Sequence, residues 1–147
     1  MNKIVKGYRH TGIICKDIQK SLSFYRDLLG LEVIQDFTDD SDYINEITGI
    51  SGGNVHMIKL KADDGTVLEL LEYTNHPTEL IKHKIYNVGI CHIALQVYNI
   101  DDAYQKLLDN NVKLLSKPIL SSEKIAKVCF CMDPSNVRVE LVEMLTQ

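Results

Sequence analysis

The sequence predicts an α+β protein built from two copies of a β-α-β-β-β module. The first observation is a weak internal repeat, in which HTGIICKDIQKSL from His10 aligns with HIALQVYNIDDAY from His92. The second is that both halves close on a similar strand, VLELLE at Val67–Glu72 and RVELVE at Arg138–Glu143. In both halves the histidine strand comes first and the glutamate strand last. We therefore expect one domain over residues 1–147, with repeated modules at about 8–74 and 88–145.

Composition excludes several classes of partner. The chain is 45% hydrophobic and 24% charged, which is typical of a globular protein. Its net charge of −4, without a basic stripe, gives no reason to expect nucleic acid or an anionic membrane as a partner. No apolar run approaches the roughly 20 residues needed to cross a bilayer. The start, MNKIVKGYRH, lacks the pattern of a secretory signal, so a cytoplasmic location is expected.

In the first module, apolar residues recur at helical spacing: Ile18, Leu22, Tyr25 and Leu29. Asp17 stands where an N-cap is expected, and Gly30 stands where a helix commonly ends in the left-handed conformation. The pattern predicts a helix from Asp17 to about Leu29.

The rest of the first module is predicted to be strands joined by turns. The strands are Leu31–Phe37, Val55–Leu60 and Thr66–Tyr73. Asp63-Asp64-Gly65 is a strong signal for a turn between the last two. The polar, glycine-bearing segment Asp39–Gly53 is predicted to be a loop with a short helical turn near Tyr43–Thr48. Two interpretations stay open for it, a cover over a cleft and a plain solvated loop.

The second module repeats this order after a linking segment, Asn75–Asn87. It is predicted to contain a strand at Ile90–Val97, a helix at about Asp101–Asn110, and strands near Val112–Ser116, Ala126–Met132 and Val137–Met144. Asp133-Pro134-Ser135-Asn136 has the composition of the last hairpin turn.

The four cysteines give no sign of thiolate chemistry. They are Cys15, Cys91, Cys129 and Cys131, and no pair has the Cys-x-x-Cys spacing of a zinc site or redox pair. Buried, reduced thiols are the better interpretation, since cysteine is among the most buried residue types and the cytosol keeps thiols reduced.

Two glutamates and two histidines stand out because of where they recur. Glu69 interrupts an apolar run in one closing strand, and Glu140 does so in the other. His10 and His92 each open a module. Taken singly, a strand glutamate is more often solvated and a lone histidine more often packs or caps. Because the same types recur in the same order, they could instead converge on a divalent cation that neutralises both carboxylates.

Four segments resemble the vicinal oxygen chelate superfamily, of the glyoxalase I, bleomycin resistance and dioxygenase type: HTGIICKDIQKSLSFYRDLLGLEV, GTVLELLEY, GICHIALQVYNID and DPSNVRVELVE. The resemblance implies two βαβββ modules related by a pseudo-twofold axis, with curled sheets around a metal cleft. It places the glyoxalase I ligands on His10, Glu69, His92 and Glu140, with nickel, cobalt, zinc or manganese as the metal. It implies Glu140 as the catalytic base, a small-molecule substrate and a homodimer.

The implied activity is that of a lyase or isomerase of the lactoylglutathione lyase class. Such an enzyme binds its substrate through two oxygens on the metal and moves a proton from the carbon beside a carbonyl. Ile14 and Tyr73 stand where glyoxalase I has the Arg and Asn that anchor glutathione, so a different substrate is expected.

Two alternatives stay open. Methylmalonyl-CoA epimerase has Gln where this chain has Glu69, and it uses a carboxylate on the preceding strand. Here that strand, Val55–Leu60, has no acid, and His56 or Lys59 would have to substitute. The second alternative is a non-catalytic, resistance-type protein that binds a small molecule in the same cleft.

Overall fold

The structure is a computed structural model that describes residues 3–145. The chain divides into two compact units, Met1–Thr78 (unit 1) and Glu79–Gln147 (unit 2). Each predicted module falls within one unit, and each unit has the strand and helix order expected for it, which confirms the fold class. The assignment of both modules to one domain stays a prediction. Within the described part of the chain, no helix combines the length and the apolar character needed to cross a membrane.

Unit 1 contains a four-stranded sheet and two helices. Its elements are β1 (Thr11–Ile14), α1 (Ile18–Leu22), which continues as a π-helical segment (Ser23–Leu28), β2 (Glu32–Asp39), α2 (Asp42–Thr48), β3 (Val55–Lys61) and β4 (Val67–Tyr73). The strand order is β1-β4-β3-β2. β1 is parallel to β4, whereas the β4–β3 and β3–β2 pairs are antiparallel.

The first helix begins and ends as predicted, but it changes type midway. The Asp17 side chain accepts a hydrogen bond from the Lys20 amide, which caps the first turn. After Leu22 the hydrogen bonds widen, as in the 3.1 Å bond from Leu29 N to Phe24 O. Gly30 follows with φ of +84°, which a glycine adopts without steric cost.

The core of unit 1 lies between α1 and one face of the sheet. Strand side chains alternate between faces, so Leu68, Leu70 and Glu72 share one face of β4 while Glu69 and Leu71 share the other. Leu68 and Leu70 are buried with Ile18 and Leu22 of α1. The Glu69 face is therefore the one turned away from α1.

The predicted short helical turn in the Asp39–Gly53 segment is the helix α2. Its buried Ile44 packs against Val55 and Met57 of β3, with Leu71 and Tyr73 of β4 beside them. By strand alternation these four sheet residues lie on the Glu69 face. The helix α2 thus covers the part of that face next to Glu69.

Unit 2 repeats the arrangement with one shorter outer strand. Its elements are β5 (Ile93–Gln96), α3 (Ile100–Asp109), β6 (Ile119–Leu120), β7 (Ala126–Met132) and β8 (Arg138–Met144), with strand order β5-β8-β7-β6. β5 is parallel to β8, and the other two pairs are antiparallel. The buried Ile100 and Leu107 of α3 and Val139 and Leu141 of β8 belong to its core.

The predicted strand at Val112–Ser116 is wrong. In this segment Leu114 forms only an isolated bridge with Cys131, and the regular strand β6 comes later. The Leu115 and Ser116 amides both reach the Phe130 carbonyl, and the Ser116 hydroxyl accepts from the Phe130 amide. A side chain that replaces a backbone acceptor interrupts the ladder, and Pro118 has no N–H to restore it.

Burial of the cysteines is as expected except at Cys91, which is exposed. All four thiols are free, and Cys15, Cys129 and Cys131 are buried. Burial raises the pKa of Cys129 to about 11 and that of Cys131 to about 12. The two buried β7 thiols therefore stay protonated at neutral pH, in agreement with a packing role.

Candidate metal centre

In unit 1 the parallel pairing of β1 with β4 brings His10 to Glu69. Gly12 pairs with Glu69, and His10, two residues before Gly12, projects to the same face. The His10 Nε2 atom lies 3.2 Å from Glu69 Oε2. The side chains are 32% and 12% exposed, so the carboxylate is largely withdrawn from water while the imidazole remains accessible.

Unit 2 repeats this pair with the same register. Ala94 of β5 pairs with Glu140 of β8, and His92 lies two residues before Ala94. The His92 Nε2 atom lies 2.9 Å from Glu140 Oε2, and the side chains are 33% and 21% exposed. The two units therefore hold the same pair of donor atoms at nearly the same separation.

The residue between histidine and glutamate is small in both units. A Cβ atom on Gly12 would lie 3.3 Å from Leu71 Cδ1 and 3.9 Å from Glu69 Oε2. Ala94 holds the corresponding place in unit 2. A large side chain at either position would lie over the carboxylate, so small residues keep the pair open.

The geometry of each pair fits ligation of a divalent cation. Nitrogen and oxygen ligands lie about 2.0–2.2 Å from such metals, so two adjacent ligands at a right angle are about 3 Å apart. The observed separations of 3.2 and 2.9 Å match this value. Imidazole and carboxylate donors together suit nickel, cobalt, zinc or manganese.

The Nδ1 atoms of His10 and His92 are buried and have no hydrogen-bond partner within residues 3–145. Their Nε2 atoms are thus the ones available to a cation. Each unit supplies two of the four predicted ligands. No group of three or more His, Cys, Asp or Glu side chains suited to a metal ion occurs in the described residues. Each pair is by itself an incomplete ligand set.

The strand next to each glutamate carries a different neighbour in the two units. In unit 1, Lys59 of β3 pairs with Glu69, and its Nζ atom lies 3.6 Å from Glu69 Oε1. In unit 2, Phe130 of β7 pairs with Glu140 and presents its ring edgewise to His92, with centroids 5.4 Å apart. In the sequence, Lys59 stands out only as a possible substitute for the carboxylate that methylmalonyl-CoA epimerase has on this strand. The alternation of β3 could have indicated that it shares a face with Glu69.

Glu72 and Glu143 lie near the ends of their strands, but their carboxylates do not face solvent. Glu72 Oε1 accepts a hydrogen bond of 3.3 Å from the Ile18 amide at the start of α1. Glu143 Oε2 accepts one of 2.8 Å from the Ile100 amide at the start of α3. Both carboxylates are half-buried on the helix side of their sheets, where they satisfy a helix N-terminus.

Ile14 and Tyr73, which replace the glutathione anchors of glyoxalase I, lie on the His10 and Glu69 face. Ile14 is half-exposed at the end of β1. Tyr73 packs against the cluster beneath α2 and makes an edgewise ring contact with His76. Neither side chain offers a charge, and that of Tyr73 is occupied in packing.

Comparison with known proteins identifies the family of the chain. The family model of the Glyoxalase/Bleomycin resistance protein/Dioxygenase superfamily matches residues 9–130. The uncharacterized protein YwkD of Bacillus subtilis is 28% identical over 141 residues, which cover 95% of this chain and 98% of the relative. A probable lactoylglutathione lyase of Synechocystis is 30% identical over 135 residues, covering 91% and 92% of the two chains.

Among solved structures, a glyoxalase family protein from Bacillus cereus superposes with a TM-score of 0.87. It is 19% identical, and the match covers 99% of this chain and 97% of that one, so it bears on the fold alone. The family match spans both units and includes His10, Glu69 and His92. The chain belongs to the glyoxalase/bleomycin resistance protein/dioxygenase superfamily.

Proposed function

We propose that this protein is a metal-dependent, glyoxalase-like lyase or isomerase. It binds one divalent metal through His10, Glu69, His92 and Glu140 and acts on a small substrate with two neighbouring oxygens. The observation that supports this most strongly is the pair of a histidine Nε2 and a glutamate oxygen, repeated in both units at 3.2 and 2.9 Å. Two copies of a two-donor pair provide a four-donor set, either from one chain or from two.

Once bound, a divalent cation supplies Lewis acidity to the substrate oxygens and stabilises the negative charge that develops when the neighbouring C–H is ionised. The residues of the chain hold and orient the donors. The pairing of β1 with β4 and of β5 with β8 places each imidazole next to its carboxylate. The Phe130 ring restrains His92 from the side.

We assign the role of base to Glu140. Both oxygens of Glu69 have partners, since Oε2 faces His10 and Oε1 faces Lys59. Glu140 Oε2 faces His92, whereas its Oε1 has no hydrogen bond or ion pair within the described residues. That oxygen is available to accept a proton from the substrate carbon.

The substrate proposed is not the glutathione hemithioacetal. Glutathione carries carboxylates at both ends, and arginine suits them because its planar group binds a carboxylate through two hydrogen bonds. Ile14 offers an apolar surface instead, and the Tyr73 ring is packed beneath α2.

We also propose that the protein works as a homodimer. Large apolar side chains are almost fully exposed in two segments, residues 3–9 and 79–92. They include Ile4, Val88 and Ile90. A second copy would remove them from water, and exposed apolar patches commonly mark such contacts. The cytoplasmic location stays a prediction.

Metal analysis of the purified protein tests the function directly. We expect about one nickel, cobalt, zinc or manganese ion per chain, with sedimentation of the same sample giving the number of copies. Glu69→Gln and Glu140→Gln should each weaken metal affinity by about tenfold or more, since each removes a ligand charge. Glu72→Gln and Glu143→Gln are matched controls on the same strands and should leave metal affinity unchanged. A protein that cannot be loaded with any of these metals would refute the proposal.

The ion pair between Lys59 and Glu69 favours one second candidate, a small-molecule-binding protein without catalysis. Lys59 and His10 together satisfy the Glu69 carboxylate even without a cation. Under this alternative the purified protein is stable without metal, and Glu69→Gln affects stability rather than metal content. The same metal analysis therefore separates the two candidates.

A further inference from the structure

Lys59 is a charged side chain beside the metal centre that neither metal ligation nor the core requires. It lies on β3 directly opposite Glu69, on the face turned away from α1. Its side chain is only 19% exposed, so the ammonium group is held near the sheet surface. A lysine withdrawn from water to this extent needs a counter-charge.

Glu69 neutralises Lys59 only in part once the metal centre is formed. Its Nζ atom is 3.6 Å from Glu69 Oε1, which is longer than a hydrogen bond. Glu69 Oε2 faces His10 and is the oxygen placed to ligate a cation. A lysine ammonium has three donors, of which Glu69 can take one, so donors remain for a second oxygen group.

Unit 2 serves as an internal comparison. There the same strand position holds Phe130, and Glu140 approaches His92 as closely as Glu69 approaches His10, although no lysine or arginine of the described residues forms an ion pair with Glu140. A lysine is therefore not needed to hold a glutamate against its histidine. The histidine and glutamate that both units share are the proposed metal ligands. Lys59 occurs in unit 1 alone, as expected of a residue that binds one end of an asymmetric molecule.

The charges of the centre indicate the kind of molecule. This step rests on the proposed function. Two ligand carboxylates offset the two charges of a divalent cation, and metal-bound imidazoles are neutral. Lys59 then leaves an uncompensated positive charge on the Glu69 side of the centre, where it is the lysine paired with that carboxylate. A substrate with a single negative charge balances it, whereas a neutral one leaves it unpaired.

We propose that Lys59 binds the carboxylate of the substrate, which we infer to be a small 2-oxo or 2-hydroxy monocarboxylic acid. Such a molecule has the two neighbouring oxygens that the metal requires, one from the carboxylate and one from the adjacent carbon. The second carboxylate oxygen is free to accept from the Lys59 ammonium. Lys59 thus determines specificity for an acid over an aldehyde or ketone of the same size.

The test compares the binding of two probes of similar size by calorimetry on the metal-loaded protein. Pyruvate carries the carboxylate, and hydroxyacetone has two neighbouring oxygens but no charge. In Lys59→Met, we expect the preference for pyruvate to fall by about tenfold to a hundredfold, the usual worth of a charge-assisted hydrogen bond. Lys59→Arg should retain most of the preference.

Lys61→Met is the matched control. Lys61 lies on the same strand and face and is also paired with a glutamate, its Nζ atom being 3.3 Å from Glu32 Oε2. Its loss should leave the preference unchanged. Metal affinity, measured by competition with a chelator, is the second readout, and it should be similar in wild type and in Lys59→Met.

Four outcomes overturn the inference in distinguishable ways. If Lys59→Met weakens metal affinity and both probes alike, Lys59 only positions Glu69. If metal-loaded wild type does not bind pyruvate, the substrate class is wrong while the proposed metal centre stands. If Lys59→Met keeps the full preference for pyruvate, Lys59 does not bind the carboxylate, and the proposed metal centre again stands. If wild type takes up no metal, the proposed function fails and this inference fails with it.

Discussion

Removing the Glu143 carboxylate should destabilise unit 2 without affecting the proposed metal centre. Glu143 Oε2 accepts a 2.8 Å hydrogen bond from the Ile100 amide, the first of α3. Asn99 caps the same helix by accepting from the Asp102 amide. Glu143 thus satisfies an amide that lacks a partner within the helix and places a negative charge at its positive end.

The magnitude follows from the contact. A hydrogen bond to a charged group contributes about 1.5–3 kcal/mol, so Glu143→Ala should reduce the free energy of unfolding by about 2 kcal/mol. Glu143→Gln keeps an oxygen acceptor and loses only the charge, and a charge at a partly buried helix end is worth up to about 2 kcal/mol. Asp101 and Asp102 in the first turn repel Glu143. We therefore expect a loss of about 1 kcal/mol for Glu143→Gln.

Urea unfolding followed by circular dichroism measures these changes. With a slope of about 2 kcal/mol per molar urea, Glu143→Ala should lower the midpoint by about 1 M. Glu72→Ala should cost less, because the bond to Ile18 is longer at 3.3 Å. Glu123→Ala, at an exposed turn, is the control and should change stability by no more than about 0.5 kcal/mol. An unchanged midpoint in Glu143→Ala, or a loss of metal affinity in Glu143→Gln as large as in Glu140→Gln, would refute the assigned geometry.

Two further predictions follow from the same structure. At pH 8 a thiol reagent should label Cys91 rapidly in the native protein and all four cysteines after unfolding. Burial holds the pKa of Cys129 at about 11 and that of Cys131 at about 12, which keeps those two thiols protonated in the native protein. Rapid labelling of two or more native thiols would contradict this prediction. The metal-loaded protein should turn over the methylglyoxal–glutathione hemithioacetal weakly, since Ile14 replaces a charged anchor worth about tenfold to a hundredfold in affinity. A kcat/KM within the range of about 10⁴–10⁸ M⁻¹s⁻¹ usual for natural substrates would contradict that prediction.

Local signals in the sequence were enough to predict most elements. Asp17 and Gly30 bound the first helix as expected, because capping and a positive φ depend only on neighbouring residues. The hairpin at Asp63–Gly65 formed for the same reason, with Gly65 at φ of +87°. The duplicated order of strands followed from the repeat itself. The cap and turn signals are each encoded within a few consecutive residues.

The elements that sequence reasoning misplaced depend on partners far away in the chain. Val112–Ser116 has the composition of a strand, but the Ser116 hydroxyl takes the Phe130 amide that a regular ladder would use. After Leu22 the first helix becomes π-helical. Its spacing of apolar residues fits an ordinary α-helix and does not indicate this change. Both outcomes are decided by packing and hydrogen bonds between segments.

The sequence by itself determined which residues are candidates for a metal centre in each half, because alternation places every second side chain of a strand on the same face. Only the tertiary structure decided which distant side chains share those faces. Parallel pairing across more than fifty residues brings His10 to Glu69, and antiparallel pairing brings Lys59 beside it. Glu72, three residues on from Glu69, turns to the opposite face and reaches the start of α1. The physical reason is that register between strands is set by the burial of whole faces, which no short segment specifies alone.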